Sequence, residues 1–286
     1  KYLAFEEKNE IASIAQILIK KIPVIGSIVR INRGPIVVGK VNEKEKNKIL
    51  ISTITKIIED CKRRRWLMLQ IAPELSLTDD TEKKLKESGL RKLSSPPWAS
   101  GLLDLNKDEE EILMSLNGKW RNCLRKGWKL GVKASLGQDS DKDINVVKGF
   151  YNTLQNDKNF VGLSNSLLKA MSQKSHRFWS FNVFTARSKE KGKSKDILGI
   201  LVSVDHGYKS IYLIGATTLE GRKLQANYVL LWEAILEAKK RGCAFFDIGG
   251  LNETTPAGIA HFKKGIKAVP YSLVGEWRSF HLPKFF

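Results

Sequence analysis

The stretch GATTLEGRKLQANYVLLWEAILEAKKRGCAFFDIGG, residues 215–250, decides the fold class. It begins where an apolar strand, Ser210–Gly215, ends. Its central part, Gln225–Arg241, has the apolar periodicity of an amphipathic helix that ends at Gly242. The short apolar run Ala244–Ile248 then predicts a buried strand that leads into a double glycine. A strand, a long helix and a second strand in this order are typical of α/β proteins.

The same mixture of strands and helices precedes this stretch. Isoleucines at helical spacing predict a long helix over Asn42–Lys62, and the compact apolar run Trp66–Ile71 predicts a buried strand after it. Further strands are predicted at Tyr2–Phe5, 10–20, 27–32 and Gly101–Leu105, and a shorter helix at Thr81–Ser88.

The second half of the chain repeats this content, which suggests a duplicated fold without a visible sequence repeat. Helices are predicted at 144–157, 163–173 and Ile259–Gly265. Strands are predicted at Phe178–Ala186, Ile197–Val204 and Ser272–Trp277, the first two joined by the lysine-rich loop SKEKGKSKD at 188–196.

Residues 107–130 predict one continuous helix with two unlike faces. Its apolar stripe contains Leu113, Leu116, Trp120 and Leu124. No acidic residue lies between Gly118 and Ser135, so the other face either binds a phosphate backbone or is simply solvated. Trp120, like Trp128, either packs or stacks on bases. The cations of this face are Lys119, Arg121, Arg125, Lys126 and Lys129.

Composition favours a polyanionic partner. The 286 residues carry a net charge of +19 and have a pI near 9.8, which fits nucleic acid, an anionic membrane surface or a phosphate-rich substrate. A generally lysine-rich composition is the alternative. Three scattered cysteines and four scattered histidines form no disulfide framework or metal motif, so we expect a cytoplasmic protein without a metal. The sequence contains no run of about 20 apolar residues, the length that a membrane-spanning helix needs.

Several common catalytic motifs are absent from the sequence. It has no GxSxG elbow, which argues against a serine hydrolase, and no GxxxxGK[ST] or GxGxxG nucleotide cradle. Acetyl-CoA enzymes usually have a glycine-rich turn that opens their longest helix and holds the pyrophosphate. Here that position contains only Gly221, in GRKLQANY, which weakens a CoA-dependent activity without excluding it.

The candidate site residues lie at strand ends and near glycines. Arg33, before Gly34-Pro35, either binds an anion or is a solvated arginine at a turn. Asp247 either acts in catalysis or caps the next turn. Phe262 and Lys263 follow the double glycine after a short loop, and Lys263 either holds a phosphate or an oxyanion or belongs to a surface lysine pair. Asp104, like Asp247, is a candidate general base.

Six motifs in one order resemble the Fem family of peptidoglycan-bridge aminoacyltransferases, over nearly the whole chain. They are INRGP, WLMLQIAPE, WASGLLDL, KWRNCLRKGWKLGVK, GATTLEGRKLQANYVLLWEAI with GCAFFDIGGLNE, and GIAHFKKGIKAVPYSLVGEW. The resemblance implies tandem GNAT-like domains with mixed α/β sheets, at 1–112 and 113–271, with the tail 272–286 returning to the first. The charged heptad segment of the coiled-coil arm found in some members is absent.

The resemblance also implies an activity. Family members transfer an amino acid from aminoacyl-tRNA to an amine of a peptidoglycan precursor, with no further cofactor. By motif, Arg33 and Arg222 would contact the phosphates of that acceptor. Lys263, with Phe262, would lie at the reacting centre, and Asp247 belongs to the strand-Asp-x-Gly-Gly element. If the activity is of this kind, the basic face 119–133 would hold the tRNA backbone.

Two alternatives remain open at this stage. One is an N-acyltransferase that uses acyl-CoA as donor, and the other is a non-catalytic protein that binds RNA or an anionic membrane through its basic surface. Both alternatives are compatible with the positive charge of the chain. They differ in whether any acyl group is transferred, and from which donor.

Overall fold

The computed structural model divides into two compact units. Unit 1 comprises Lys1–Ala99, Asn252–Thr254 and Tyr271–Phe286, and unit 2 comprises Ser100–Leu251 and Thr255–Pro270. The sequence places the boundary between its two domains at residue 112. The structure describes residues 1–7, 9–24, 26–173, 178–188 and 197–281, so the lysine-rich loop predicted at 188–196 lies almost wholly outside the described residues.

Unit 1 contains two sheets. In the five-stranded sheet, order β3-β4-β6-β15-β7, the adjacent strands β4 and β6 run parallel, and every other neighbouring pair is antiparallel. The other sheet has the order β1-β2-β5 and is antiparallel. The strands are β1 Tyr2–Glu7, β2 Glu10–Gln16, β3 Leu18–Ile22, β4 Gly26–Asn32, β5 Ile36–Val37, β6 Met68–Ala72, β7 Arg91–Lys92 and β15 Trp277–Phe280.

The long helix α1, Glu43–Arg63, supplies much of the core of unit 1. Asn42 caps it by accepting from the Glu45 amide, and Ile54 and Ile57 are fully buried on its inner face. They pack in one cluster with Leu69 and Trp277. The shorter helix α2 is Asp79–Glu87.

Unit 2 is built on a seven-stranded sheet of order β14-β8-β13-β12-β11-β10-β9. Along β11, Leu201 belongs to one hydrophobic cluster, while Ile200 and Val202 belong to another. Because successive side chains of a strand point to opposite faces, unit 2 has a core on each face of this sheet. The strands are β8 Ala99–Asp104, β9 Val132–Leu136, β10 Trp179–Ser188, β11 Gly199–His206, β12 Lys209–Thr217, β13 Phe245–Asp247 and β14 Val269–Ser272.

Seven helices are described in unit 2, and α8 lies in the larger core cluster, where Leu231 and Ile235 are fully buried. The helices α5 and α6 cover the other face of the sheet. No helix of the described residues combines the length and apolar character that a bilayer crossing needs. The helices are α3 Glu109–Ser115, α4 Gly118–Lys129, α5 Ser140–Lys158, α6 Asn165–Ser172, α7 Leu219–Lys223, α8 Ala226–Lys240 and α9 Ala257–Lys264.

Three predicted elements are wrong in detail. The helix predicted at 107–130 is two helices, because Leu116 is extended (ψ 159°) and Asn117 caps α4 anew. The strand predicted at 10–20 is likewise divided, into β2 and β3, which belong to different sheets. The last predicted strand, 272–277, begins at the last residue of β14 and ends at the first residue of β15, so its middle is the connection between these two strands.

Candidate active site

The site in unit 2 lies where the parallel strands β12 and β13 separate. Their last paired residues are Ile211 and Asp247, after which the chain leaves the sheet through a double glycine. Gly249 has φ +71°, and a Cβ there would lie 2.6 Å from the Tyr212 carbonyl oxygen. Only glycine therefore fits, and the backbone at Gly249 lies directly against β12.

Asp247 fixes the shape of this turn. Its side chain is 2% exposed, and its Oδ1 accepts a hydrogen bond from the Gly249 amide at 2.9 Å and another from the Ser100 hydroxyl. Ser100 Oγ also lies 2.9 Å from the Gly249 carbonyl oxygen. Of the two roles that the sequence leaves open for Asp247, the geometry supports turn capping directly.

Lys263 is buried beside the turn. It lies in α9 with 6% of its surface exposed, and its Nζ donates to the Gly250 carbonyl at 3.2 Å. The Nζ is also 4.8 Å from the centre of the Tyr212 ring. Burial lowers the pKa of Lys263 to about 8, although the charge of Asp247 opposes the shift. Lys263 therefore does not belong to a pair of surface lysines. Its neighbour Lys264 is exposed.

An aromatic cluster holds α9 against two other helices. The Phe262 ring centre is 5.0 Å from that of Tyr228 in α8 and 6.2 Å from that of Trp120 in α4. Trp120 also meets Tyr228 edge-on at 5.1 Å and is 3% exposed, so it packs in the core instead of offering a stacking surface. Trp128, by contrast, is 43% exposed.

The helix α4 begins near the end of α9, the helix that carries Lys263, and ends near the segment that carries Arg222. At its start, the Asn117 amide donates to the Gly265 carbonyl at 2.9 Å, just after α9. Near its end, a Cβ on Gly127 would lie 3.4 Å from the Gln225 carbonyl oxygen, at the α7–α8 junction. Arg222 is exposed on α7.

Four of the five cations predicted to bind tRNA are exposed on α4: Lys119, Arg125, Lys126 and Lys129. The fifth, Arg121, turns back to donate from Nη1 to the Met114 and Leu116 carbonyls, both at 2.7 Å. It thereby satisfies carbonyl groups at the end of α3, where the predicted continuous helix breaks.

Arg33 lies in unit 1, after β4. Its guanidinium makes a two-point ion pair with Glu74, with Nη2 2.9 Å from Oε1, and lies 5.4 Å from the centre of the Trp98 ring. Trp98 Nε1 in turn donates to the Tyr271 hydroxyl at 3.1 Å. Burial lowers the pKa of Arg33, but the hydrogen bond and charge of Glu74 outweigh this and raise the pKa above its ordinary value.

Arg33 and Trp98 border a cavity of about 270 Å³ within unit 1. Arg30 also lines it, paired with Glu276 at 2.8 Å, and Asn32 and Asn252 add amide groups. Two arginines therefore line the cavity, and each already forms an ion pair with a carboxylate. A phosphate that reaches Arg33 must compete with Glu74 for the same hydrogen bonds.

The second candidate base, Asp104, also caps a turn. Its Oδ1 accepts from the Asn106 amide at 2.9 Å, and this hydrogen bond is the main cause of its lowered pKa. The sequence does not single out Glu74 or Tyr212, although both lie in quoted motifs or strands. Nothing in their spacing indicates that each would contact a cation distant in the chain.

Comparisons with known proteins find similarity to the Fem family. The FemAB family model matches residues 168–284. Two curated relatives, named lipid II:glycine glycyltransferase and both from Staphylococcus epidermidis, are 22% identical over 91% of this chain and 77% of their own. The crystal structure of FemX superposes with a TM-score of 0.77 at 17% identity, covering 98% of this chain and 87% of that one.

A tandem GNAT protein from the clavulanic acid biosynthesis pathway superposes with a TM-score of 0.56 at 9% identity, covering 99% of this chain and 83% of its own. These matches confirm the resemblance to the Fem family and the mixed α/β, GNAT-like fold.

Proposed function

We propose that the chain, which is similar to the FemAB family over residues 168–284 and has a GNAT-like fold, is an aminoacyltransferase that extends the peptide of a peptidoglycan precursor. The observation that carries the proposal is the buried Lys263 at the opening between β12 and β13. A nearly inaccessible lysine whose ordinary charge is disfavoured by burial is costly to the fold. An electrostatic role in a reaction accounts for its retention.

The proposed reaction needs positioning and charge stabilisation more than a protein nucleophile. The deprotonated amine of the acceptor attacks the ester carbonyl carbon of the donor, and a tetrahedral oxyanion forms. Protonated Lys263 stabilises this oxyanion. The carbon–oxygen ester bond then breaks, the amine proton is lost, and the donor hydroxyl leaves with a proton. Phe262 holds α9 in place through Trp120 and Tyr228.

Aminoacyl-tRNA is the donor that we propose. The exposed cations of α4 and the net charge of +19 suit a phosphate backbone. Because charged tRNA is a cytoplasmic substrate, we place the reaction in the cytoplasm, where free cysteines such as Cys61 and Cys243 persist.

A salt titration tests the role of α4. In the double variant Lys126→Ala/Lys129→Ala, the slope of log Kd for tRNA against log salt should fall by roughly one to two, because each lost phosphate contact removes about 0.7–0.9. The matched control is Lys142→Ala/Lys158→Ala, which removes two exposed cations from α5. An unchanged slope in the α4 variant would assign the tRNA to another surface.

The acceptor that we propose is a phosphorylated precursor peptide, and Arg33 is the candidate contact with its phosphate. Arg33→Ala should raise the KM for the acceptor by about 10–100-fold, since a hydrogen bond to a charged group contributes about 1.5–3 kcal/mol. Glu74→Gln should lower this KM, because it removes the carboxylate that competes for the guanidinium. Arg91→Ala, an exposed arginine of the same unit, is the control. Equal KM values in all three variants would show that Arg33 does not contact the acceptor.

A donor screen tests the function itself. Charged tRNAs and acyl-CoAs are compared for transfer of a labelled acyl group to an amine-bearing precursor. The likeness to a tandem GNAT protein motivates the CoA arm, whereas the α8 start, with Gln225 at φ +62° and no glycine-rich turn, disfavours it. Transfer from CoA alone would support the second donor class, and no transfer from any donor would leave a basic binding protein.

A further inference from the structure

One end of the five-stranded sheet of unit 1 is both apolar and basic. The strands β3 and β4 meet there in a turn where Pro23 is exposed and Val24 is completely exposed. Val24 has φ +67°, a conformation that Gly and Asn adopt easily and that strains a β-branched residue. Folding therefore gives no reason for a valine at this position.

Backbone contacts bring two other chain segments to the same end. The Leu67 amide donates to the Ser27 carbonyl at 2.9 Å, so β6 begins beside this turn. The His281 amide donates to the Leu67 carbonyl at 2.8 Å, so β15 ends there. Phe280, the last residue of β15, is 56% exposed.

The C-terminal end of α1 adds positive charge to this end of the sheet. Lys62 is close enough to help lower the pKa of His281, after the larger effect of burial. Arg63 and Arg64 are engaged by Asp60. Within the described residues no ion pair occupies the four exposed cations of this end, which are Lys20, Lys21, Lys62 and Arg65.

We propose that this end of the sheet, the membrane-facing rim formed by Val24, Phe280 and these four cations, binds the surface of an anionic lipid bilayer. Cations attract the anionic headgroups, and the exposed apolar side chains enter the interface. An RNA backbone would use the same cations but would gain nothing from a protruding valine. The proposal does not depend on the transferase activity, so the two can fail separately.

Vesicle sedimentation tests the rim with the full-length chain. The protein should bind phosphatidylcholine vesicles that contain phosphatidylglycerol, and should bind pure phosphatidylcholine much more weakly. Lys20→Ala/Lys21→Ala should weaken the binding on the order of 30-fold, since each cation near an anionic surface contributes about fivefold. Val24→Asn should also weaken it, and this change relieves the backbone strain, so the variant is expected to fold.

The matched control is Lys44→Ala/Lys48→Ala, which removes two exposed cations near the other end of α1, a helix of 21 residues. Because a helix rises about 1.5 Å per residue, these cations lie roughly 20–30 Å from Lys62 along the helix axis. Loss of vesicle binding in the rim variants but not in this control supports the proposal. Equal binding by all variants overturns it, as would a loss confined to RNA binding.

Discussion

Replacing Lys263 by methionine should lower kcat by roughly 10²–10³-fold, the usual consequence of losing one oxyanion donor, and should at the same time stabilise the fold. Methionine has a similar length but carries no charge into a site that is 6% exposed. A purely structural lysine would show no such opposition between activity and stability. Turnover and urea unfolding of the same variant measure the two effects.

The pH dependence follows from the lowered pKa of Lys263. Its pKa is about 8 when folded against 10.5 for the unfolded group, so between these values the unfolded chain binds more protons. Stability of the wild-type protein should therefore rise with pH in this window, by up to about 1.4 kcal/mol per pH unit. Turnover should fall as the pH rises through about 8 and the lysine loses its charge.

Lys264→Met is the control, because Lys264 is the next residue of α9 and is exposed. It should retain wild-type turnover and the same stability increase above pH 8. If Lys263→Met retained wild-type turnover, the lysine would have no part in the reaction. If that variant were also less stable, Nζ would serve the fold through its hydrogen bond to Gly250.

Replacing Trp277 by alanine should lower the free energy of unfolding by about 3–5 kcal/mol, the range for a large aromatic lost from a packed core. Trp277 is fully buried in β15, and its Nε1 donates to the Val274 carbonyl at 3.0 Å. The variant loses this hydrogen bond and leaves a cavity beside Leu69 and Ile57. Chemical denaturation followed by circular dichroism measures the change.

Phe280→Ala, on the same strand, is the comparison. Phe280 is 56% exposed, so its loss should change stability by no more than about 0.5 kcal/mol. Equal destabilisation by both changes would mean that β15 itself, and not the buried indole ring, determines the stability of unit 1.

The fold class could be predicted from local patterns because each depends on few neighbouring residues. The helix over 42–62 and the strand–helix–strand order of residues 210–248 follow from apolar spacing and glycine positions. The break at Leu116 could not be predicted in this way, because the apolar stripe continues across it. There Asn117 and Arg121 supply the caps that end one helix and begin another.

The amino-acid sequence by itself therefore determined which segments form strands and helices, the strong positive charge and the candidate residues for mutagenesis. Only the tertiary structure decided that Lys263 is buried while Lys264 is exposed, that Glu74 occupies Arg33 and that Arg121 serves a helix end. The physical reason is that a side chain's charge state and availability depend on burial and on partners distant in sequence. Periodicity and spacing describe only the neighbours along the chain.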